Sequence, residues 1–154
     1  MKRRILALVT LALVGLGGPA AAYDAELARK ADALLSKMDQ KALAGSACKI
    51  SAEALLQAMR NGEKVTLLDV RTPAEARVVA MTYPGTLQIP LDRLFQPESL
   101  DRLPADGKLV VVCHSGNRAA AAAVMLRAAK VDNAVFLNGG LIALTQATTP
   151  ASAP

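Results

Sequence analysis

One cysteine and the arginine that follows it carry the clearest chemical signal in this chain. Residues 110–119 read Val-Val-Val-Cys-His-Ser-Gly-Asn-Arg-Ala. An apolar run stops at Cys113, four residues follow, and Arg118 opens an alanine-rich stretch of helical character. The thiol therefore stands where a strand ends and a helix begins. The first amides of a helix lack intrahelical partners and face whatever lies in front of them. The helix dipole adds partial positive charge there, and Arg118 adds a full charge. Such surroundings favour a thiolate, the nucleophilic form of cysteine. An ordinary thiol is only about 3% ionised at pH 7, and lowering a pKa by about 2 units takes about 2.7 kcal/mol. A helix terminus supplies about 0.3–1 kcal/mol, up to about 2 in good geometry. The loop amides and Arg118 must then supply the remainder. Gly116 lets the backbone curl without a side-chain clash. His114 adjoins the cysteine in sequence, but neighbouring loop residues often point apart. Its position suits the loop rim better than a general base.

The elements that must hold this loop are short and alternate. Asp24 to Ala44 has helical spacing in Leu27, Ala31, Leu34, Leu35, Met38 and Ala42. This helix either packs on the domain, the preferred reading, or docks a partner. Ser51 caps a second helix that Asn61-Gly62 closes. Val65 to Val70 is an apolar strand. Thr72-Pro73-Ala74-Glu75 opens a helix with a capping box and proline at its first position. Thr86 to Pro90 reads as a strand, with a short helix near Asp92. Leu109 to Val112 is a buried strand, Arg118 to Lys130 a helix, Ala134 to Leu137 a strand, and Leu141 to Ala147 a helix. Short apolar strands alternating with helices predict an α/β fold: a central, mostly parallel sheet with helices on both faces. Ligands in such sheets bind beyond the carboxyl ends of the strands, which is where Cys113 falls.

The ends of the chain and its charge set further expectations. Lys2-Arg3-Arg4, an apolar run from Ile5 to Val14, and Ala20-Ala21-Ala22 form the pattern of a secretory signal cleaved after Ala22. The apolar run is too short for a membrane anchor, which needs about 20 residues. The organisation read from this is a signal over 1–22, a helical extension over 23–46, a domain over 47–147 and a tail over 148–154. The expected location is periplasmic or secreted. The whole chain has 18 basic and 13 acidic residues. Without residues 1–22 it keeps 15 basic against the same 13 acidic. With so little excess charge, few aromatic residues and no Trp, nothing favours nucleic-acid binding. One histidine and two distant cysteines make a poor metal set.

Four segments together resemble a single-domain rhodanese. They are Leu68-Asp69-Val70-Arg71-Thr72-Pro73-Ala74-Glu75, Pro84-Gly85-Thr86-Leu87-Gln88-Ile89-Pro90-Leu91, the loop Cys113 to Arg118, and Leu137-Asn138-Gly139-Gly140. The resemblance spans about residues 48–147. It implies a rhodanese-like fold and Cys113 as sulfur acceptor, cradled by the amides of residues 114–118. His114, Ser115, Gly116, Asn117 and Arg118 would contact substrate, with Arg118 binding an anionic donor. The implied reaction is covalent ping-pong. Cys113 takes the outer sulfur of thiosulfate or another sulfane donor, then gives it to cyanide, a thiol or a protein acceptor. No cofactor is required. Two positions depart from the family pattern. Met81-Thr82-Tyr83 stands where Gly-His-Ile is usual, and Leu141 follows the glycine pair where tryptophan is usual. The first is expected to alter packing under the loop, the second only the core.

Alternatives stay open at this level. The chain could be a persulfide carrier that hands sulfur to a partner rather than turning over. Phosphatases and arsenate reductases of the same fold carry five residues between Cys and Arg, one more than here, so phosphate chemistry is disfavoured. Asp69 and Arg71 could pair beside the site or simply hold the strand–helix turn. Cys48 reads either as an unpaired thiol at the start of the first strand or as a resolving partner for Cys113.

Overall fold

A computed structural model describes residues 23–36 and 48–148. Five strands form one sheet: β1 (Lys49–Ile50), β2 (Val65–Asp69), β3 (Leu87–Gln88), β4 (Lys108–Val112) and β5 (Ala134–Leu137). Their order is β1-β5-β4-β2-β3, and every neighbouring pair is parallel. The connection after β2 leads outward to β3, while that after β4 leads the other way to β5. The crevice above β2 and β4 is therefore the topological switch point, the usual ligand position in such sheets.

Strict alternation along the strands divides the core. Leu68, Val70, Leu109, Val111 and Cys113 face one side and pack with Ala119, Ala122, Ala123 and Leu126. These alanines belong to α5 (Asn117–Ala128), and their small size lets this helix lie close on the sheet. Val65, Leu67, Val110, Val112 and Leu137 face the other side. There they meet Leu55 and Ala58 of α2 (Ala52–Arg60) and Ala143 and Leu144 of α6 (Gly140–Ala147). The remaining helices are α1 (Ala25–Leu35), α3 (Pro73–Val78) and α4 (Pro97–Leu100). Helices thus cover both faces, as the pattern predicted.

The predicted strands and helices are present, several with bounds shifted by one or two residues. Expected strand 86–90 is only Leu87–Gln88. The Thr86 amide and hydroxyl both bond back to the Tyr83 carbonyl, so Thr86 belongs to the turn. Helix α5 begins at Asn117, one residue before the expected start, and α6 at Gly140. The expected helix 24–44 is α1, capped by the Asp24 carboxylate on the amides of Glu26 and Leu27; its continuation lies outside the described residues, as do the expected signal and most of the tail. Helix α1 lies beside α5, and Leu27, Ala31 and Leu35 border a small cavity shared with Met125 and Ala128.

Candidate active site

Cys113 directly follows β4 and is buried, with 1% of its surface exposed. Its Sγ accepts the Gly116 amide at 3.2 Å and the Ala119 amide at 3.4 Å. Gly116 is the N-cap of α5, at φ +96°, and it has no side chain to cap the helix. The Ala119 amide is the donor that an N-cap side chain would normally satisfy. The cysteine sulfur takes that place. The sulfur of Cys113 is itself the helix cap, so the electropositive end of α5 acts directly on it. Of the amides expected to cradle the sulfur, that of Gly116 bonds to it, and Ala119 adds a donor from just beyond the expected range.

A second helix meets the loop from below. The Leu141 amide donates to the Cys113 carbonyl at 2.8 Å, and the Ile142 amide to the His114 carbonyl at 3.1 Å. These are first-turn donors of α6, otherwise unpaired. The approach requires Gly140. A Cβ there would stand 2.4 Å from the Cys113 carbonyl oxygen and 2.7 Å from the Gly116 nitrogen, on a backbone already at φ +58°. Leu141 was expected to touch only the core. It is mostly buried, but its amide supports the reactive loop and its side chain lines the neighbouring cavity. The other departure, Met81 and Tyr83, packs behind the sheet with Val112, on the face opposite the Cys113 side chain.

Arg118 does not stand alone beside the sulfur. Its Nη1 and Nη2 donate to Glu75 Oε2 and Oε1 at 2.8 and 2.6 Å. Glu75 Oε2 also accepts the Thr72 amide and hydroxyl, while the Thr72 hydroxyl accepts the Glu75 amide. The capping box read from the sequence therefore has a second task across 43 residues of chain. Arg118 holds the Glu75 carboxyl well below the usual carboxylate range, with help from the Thr72 amide. The same pair raises Arg118, to which the nearby Cys113 adds. Sequence reasoning missed Glu75 because its local role as a cap already accounted for it.

Asp69 and Arg71 do pair, and both are buried at 2% exposure. Arg71 Nε and Nη2 donate to the two Asp69 oxygens at 2.8 and 2.7 Å, and Nη2 also donates to the Val79 carbonyl. The Asp69 carboxylate raises Arg71 further. Among the other loop residues, His114, Ser115 and Asn117 are exposed and Gly116 is buried. Beside the loop lies an open cavity of about 430 Å³. Its polar lining is Arg71, Glu75, His114 and Thr145, and its apolar lining Val78, Val79, Leu141 and Ile142.

The sheet separates the two cysteines. Lys49 lies opposite Phe136, and Phe136 opposite Val111. Cys48 therefore starts one edge strand, two strands across and three residues short of Cys113. At about 3.3 Å per residue and about 4.8 Å per strand, the backbones stand about 14 Å apart. A disulfide needs Cα atoms within about 7 Å. Both thiols are free, and a Cys48–Cys113 bridge has no place in this fold. Among the described residues, no helix is long and apolar enough to cross a membrane.

The arrangement has close relatives. The family model of the rhodanese-like domain matches residues 51–147. The chain is 33% identical over 105 residues to a sulfurtransferase of Allochromatium vinosum, covering 68% of this chain and 94% of that protein. It is 32% identical over 112 residues to the probable adenylyltransferase/sulfurtransferase MoeZ of Mycobacterium tuberculosis, but spans only 28% of that longer protein. Among solved structures, a rhodanese-related protein from Thermoplasma volcanium superposes with a TM-score of 0.55 at 29% identity, over 67% of this chain and 95% of that one.

Proposed function

The chain belongs to the rhodanese-like domain family, and from that premise we propose that it transfers sulfane sulfur through a persulfide on Cys113. Sulfur transfer in general is the activity that its family and its sulfurtransferase relatives support. The finer assignment rests on one observation: the Cys113 sulfur caps α5, accepting the Gly116 and Ala119 amides. That geometry puts two backbone donors and the positive end of a helix on the sulfur that attacks in the first half-reaction and departs in the second.

In the first half-reaction the Cys113 thiolate attacks the outer sulfur of thiosulfate or of a persulfide donor. A sulfur–sulfur bond forms at Cys113, and the donor's own sulfur–sulfur bond breaks, releasing sulfite or a thiol. In the second, cyanide or a thiolate attacks the outer sulfur and Cys113 leaves as thiolate. Arg118, close to Cys113, is the group for an anionic donor. His114, Ser115 and Asn117 stand exposed at the loop where such a donor would arrive. The four-residue spacing from Cys113 to Arg118 suits one sulfur better than a tetrahedral phosphate. Residues 1–22 support export to a periplasm or beyond the cell.

Intact-mass measurement before and after thiosulfate tests this reading. The expected result is a gain of one sulfur on the wild type, absent in Cys113→Ser, with turnover lost in that variant. A Cys113→Ser protein that keeps full sulfurtransferase activity overturns it. Stoichiometric loading with negligible turnover would instead favour a persulfide carrier.

A further inference from the structure

The cavity beside the loop has a character that the small reactants of sulfur transfer do not use. Val78, Val79 and Ile142, which are 83%, 45% and 41% exposed to solvent, line it, and Leu141 completes the wall. Three exposed aliphatic side chains around one opening leave apolar surface in water, where covering it is worth about 25 cal/mol per Å². The site's charges, in contrast, are already matched. Both Glu75 oxygens hold Arg118, and both Asp69 oxygens hold Arg71. A volume of about 430 Å³ lies in the range of pockets for organic molecules. Cyanide would leave nearly all of it empty, and a thiosulfate dianion gains nothing from an aliphatic wall.

The wall is joined to the reactive loop at two points. His114, the residue after Cys113, lines the same cavity. The Leu141 and Ile142 amides bond to the Cys113 and His114 carbonyls, so that side of the wall is tied to the loop. Resting on the sulfur-transfer reading above, we propose that this cavity selects the sulfur acceptor: an organic thiol with an apolar body, seated against Val78, Val79, Leu141 and Ile142. Its thiolate attacks the outer sulfur of the Cys113 persulfide. The bond between the two persulfide sulfurs breaks, Cys113 departs as thiolate, and the organic persulfide leaves with the transferred sulfur and its proton. No further oxidant or reductant is needed.

The test uses full-length protein loaded with one sulfur at Cys113 and discharged in single-turnover mixing by benzyl mercaptan or by cyanide. The variant Val78→Asn changes one largely exposed position that makes no hydrogen bond to the loop and adds no charge, so folding is retained; far-UV circular dichroism checks that. The expected result is a fall of at least about tenfold in discharge by benzyl mercaptan, the effect of about 1.4 kcal/mol of lost apolar contact, with cyanide discharge within twofold of wild type. Equal rates for wild type and variant with benzyl mercaptan overturn the proposal, as does an equal fall with both acceptors. Dissociation of a wild-type dimer in the variant, with unchanged discharge, would assign the wall to a second copy of the chain and also overturn it. If the wild type never gains sulfur, the sulfur-transfer reading itself fails, a result distinct from failure of the cavity alone.

Discussion

Two arginine–carboxylate pairs flank the reactive loop, and they are built for opposite purposes. Asp69–Arg71 closes the end of β2 with side chains 3% and 2% exposed. Glu75–Arg118 bridges α3 and α5 with side chains 35% and 36% exposed. Both are bidentate, with similar hydrogen-bond lengths. Burial makes the difference. A buried pair repays its desolvation only while both partners remain, so it fixes geometry. A half-exposed pair sits in high dielectric and is worth little by itself, so either partner is free to take another ion. The first is scaffold; the second, under the proposed function, is a resting contact that an anionic donor would replace on Arg118.

The largest effect should come from breaking the scaffold pair. Asp69→Ala leaves Arg71 buried without its carboxylate, a change that typically costs 3–5 kcal/mol (about 3–5 here). Thermal unfolding should then drop by about 12–40 °C, at about 4–8 °C per kcal/mol for a domain of this size. Adding Arg71→Met removes the orphaned charge and should recover part of the loss. If Asp69→Ala unfolds within a few degrees of wild type, the buried pair is not scaffold and the contrast collapses.

Next in size is Arg118→Ala, read in activity rather than stability. Losing the charged donor should lower kcat/KM for thiosulfate by about 10–100-fold, from about 1.5–3 kcal/mol of charge-assisted hydrogen bonding. An uncharged persulfide donor should be affected far less. Stability should change by less than about 1 kcal/mol, as for other exposed pairs. Parallel steady-state kinetics with the two donors, alongside a denaturation curve, check this. Equal losses for both donors would mean that Arg118 shapes the loop rather than binding the anion.

These contrasts show which parts of the molecule local sequence can reveal. The apolar runs of β2 and β4, the Thr72–Glu75 cap and the strand–Cys–helix arrangement are local patterns, each fixed by neighbours within a few residues. The Glu75–Arg118 pair is not local. It exists because β2 and β4 are adjacent in the sheet, which brings the starts of α3 and α5 together across 43 residues. The role of Leu141 was hidden for a related reason: its main-chain amide, not its side chain, supports the loop, and a residue name carries no sign of that. The relation of Cys48 to Cys113 is likewise a matter of register. Only the pairing of Lys49 with Phe136 and of Phe136 with Val111 shows that the sheet holds them apart.

The smallest change probes the releasable pair from its acidic side. Glu75→Gln keeps the capping function, since glutamine serves at that position of a capping box, and removes only the charge that neutralises Arg118. Thiosulfate kcat/KM should therefore rise, by about two- to fivefold if the pair is worth about 0.5–1 kcal/mol, the upper part of the range for exposed bridges. Stability carries the complementary sign. In the folded protein Arg118 depresses the Glu75 carboxyl below its unfolded value of about 4.3. A depressed carboxylate stabilises the fold above the unfolded value and loses that contribution as pH falls through the folded one. Wild type should thus exceed Glu75→Gln in stability by up to about 1 kcal/mol at neutral pH, and the gap should begin to close as pH falls below about 4. Added salt should narrow the neutral-pH gap, because exposed charges are screened, while leaving the cost of Asp69→Ala nearly unchanged. A Glu75→Gln variant that loses thiosulfate activity would place Glu75 in the chemistry itself, and the pair beside Cys113 would then be as fixed as the one beneath it.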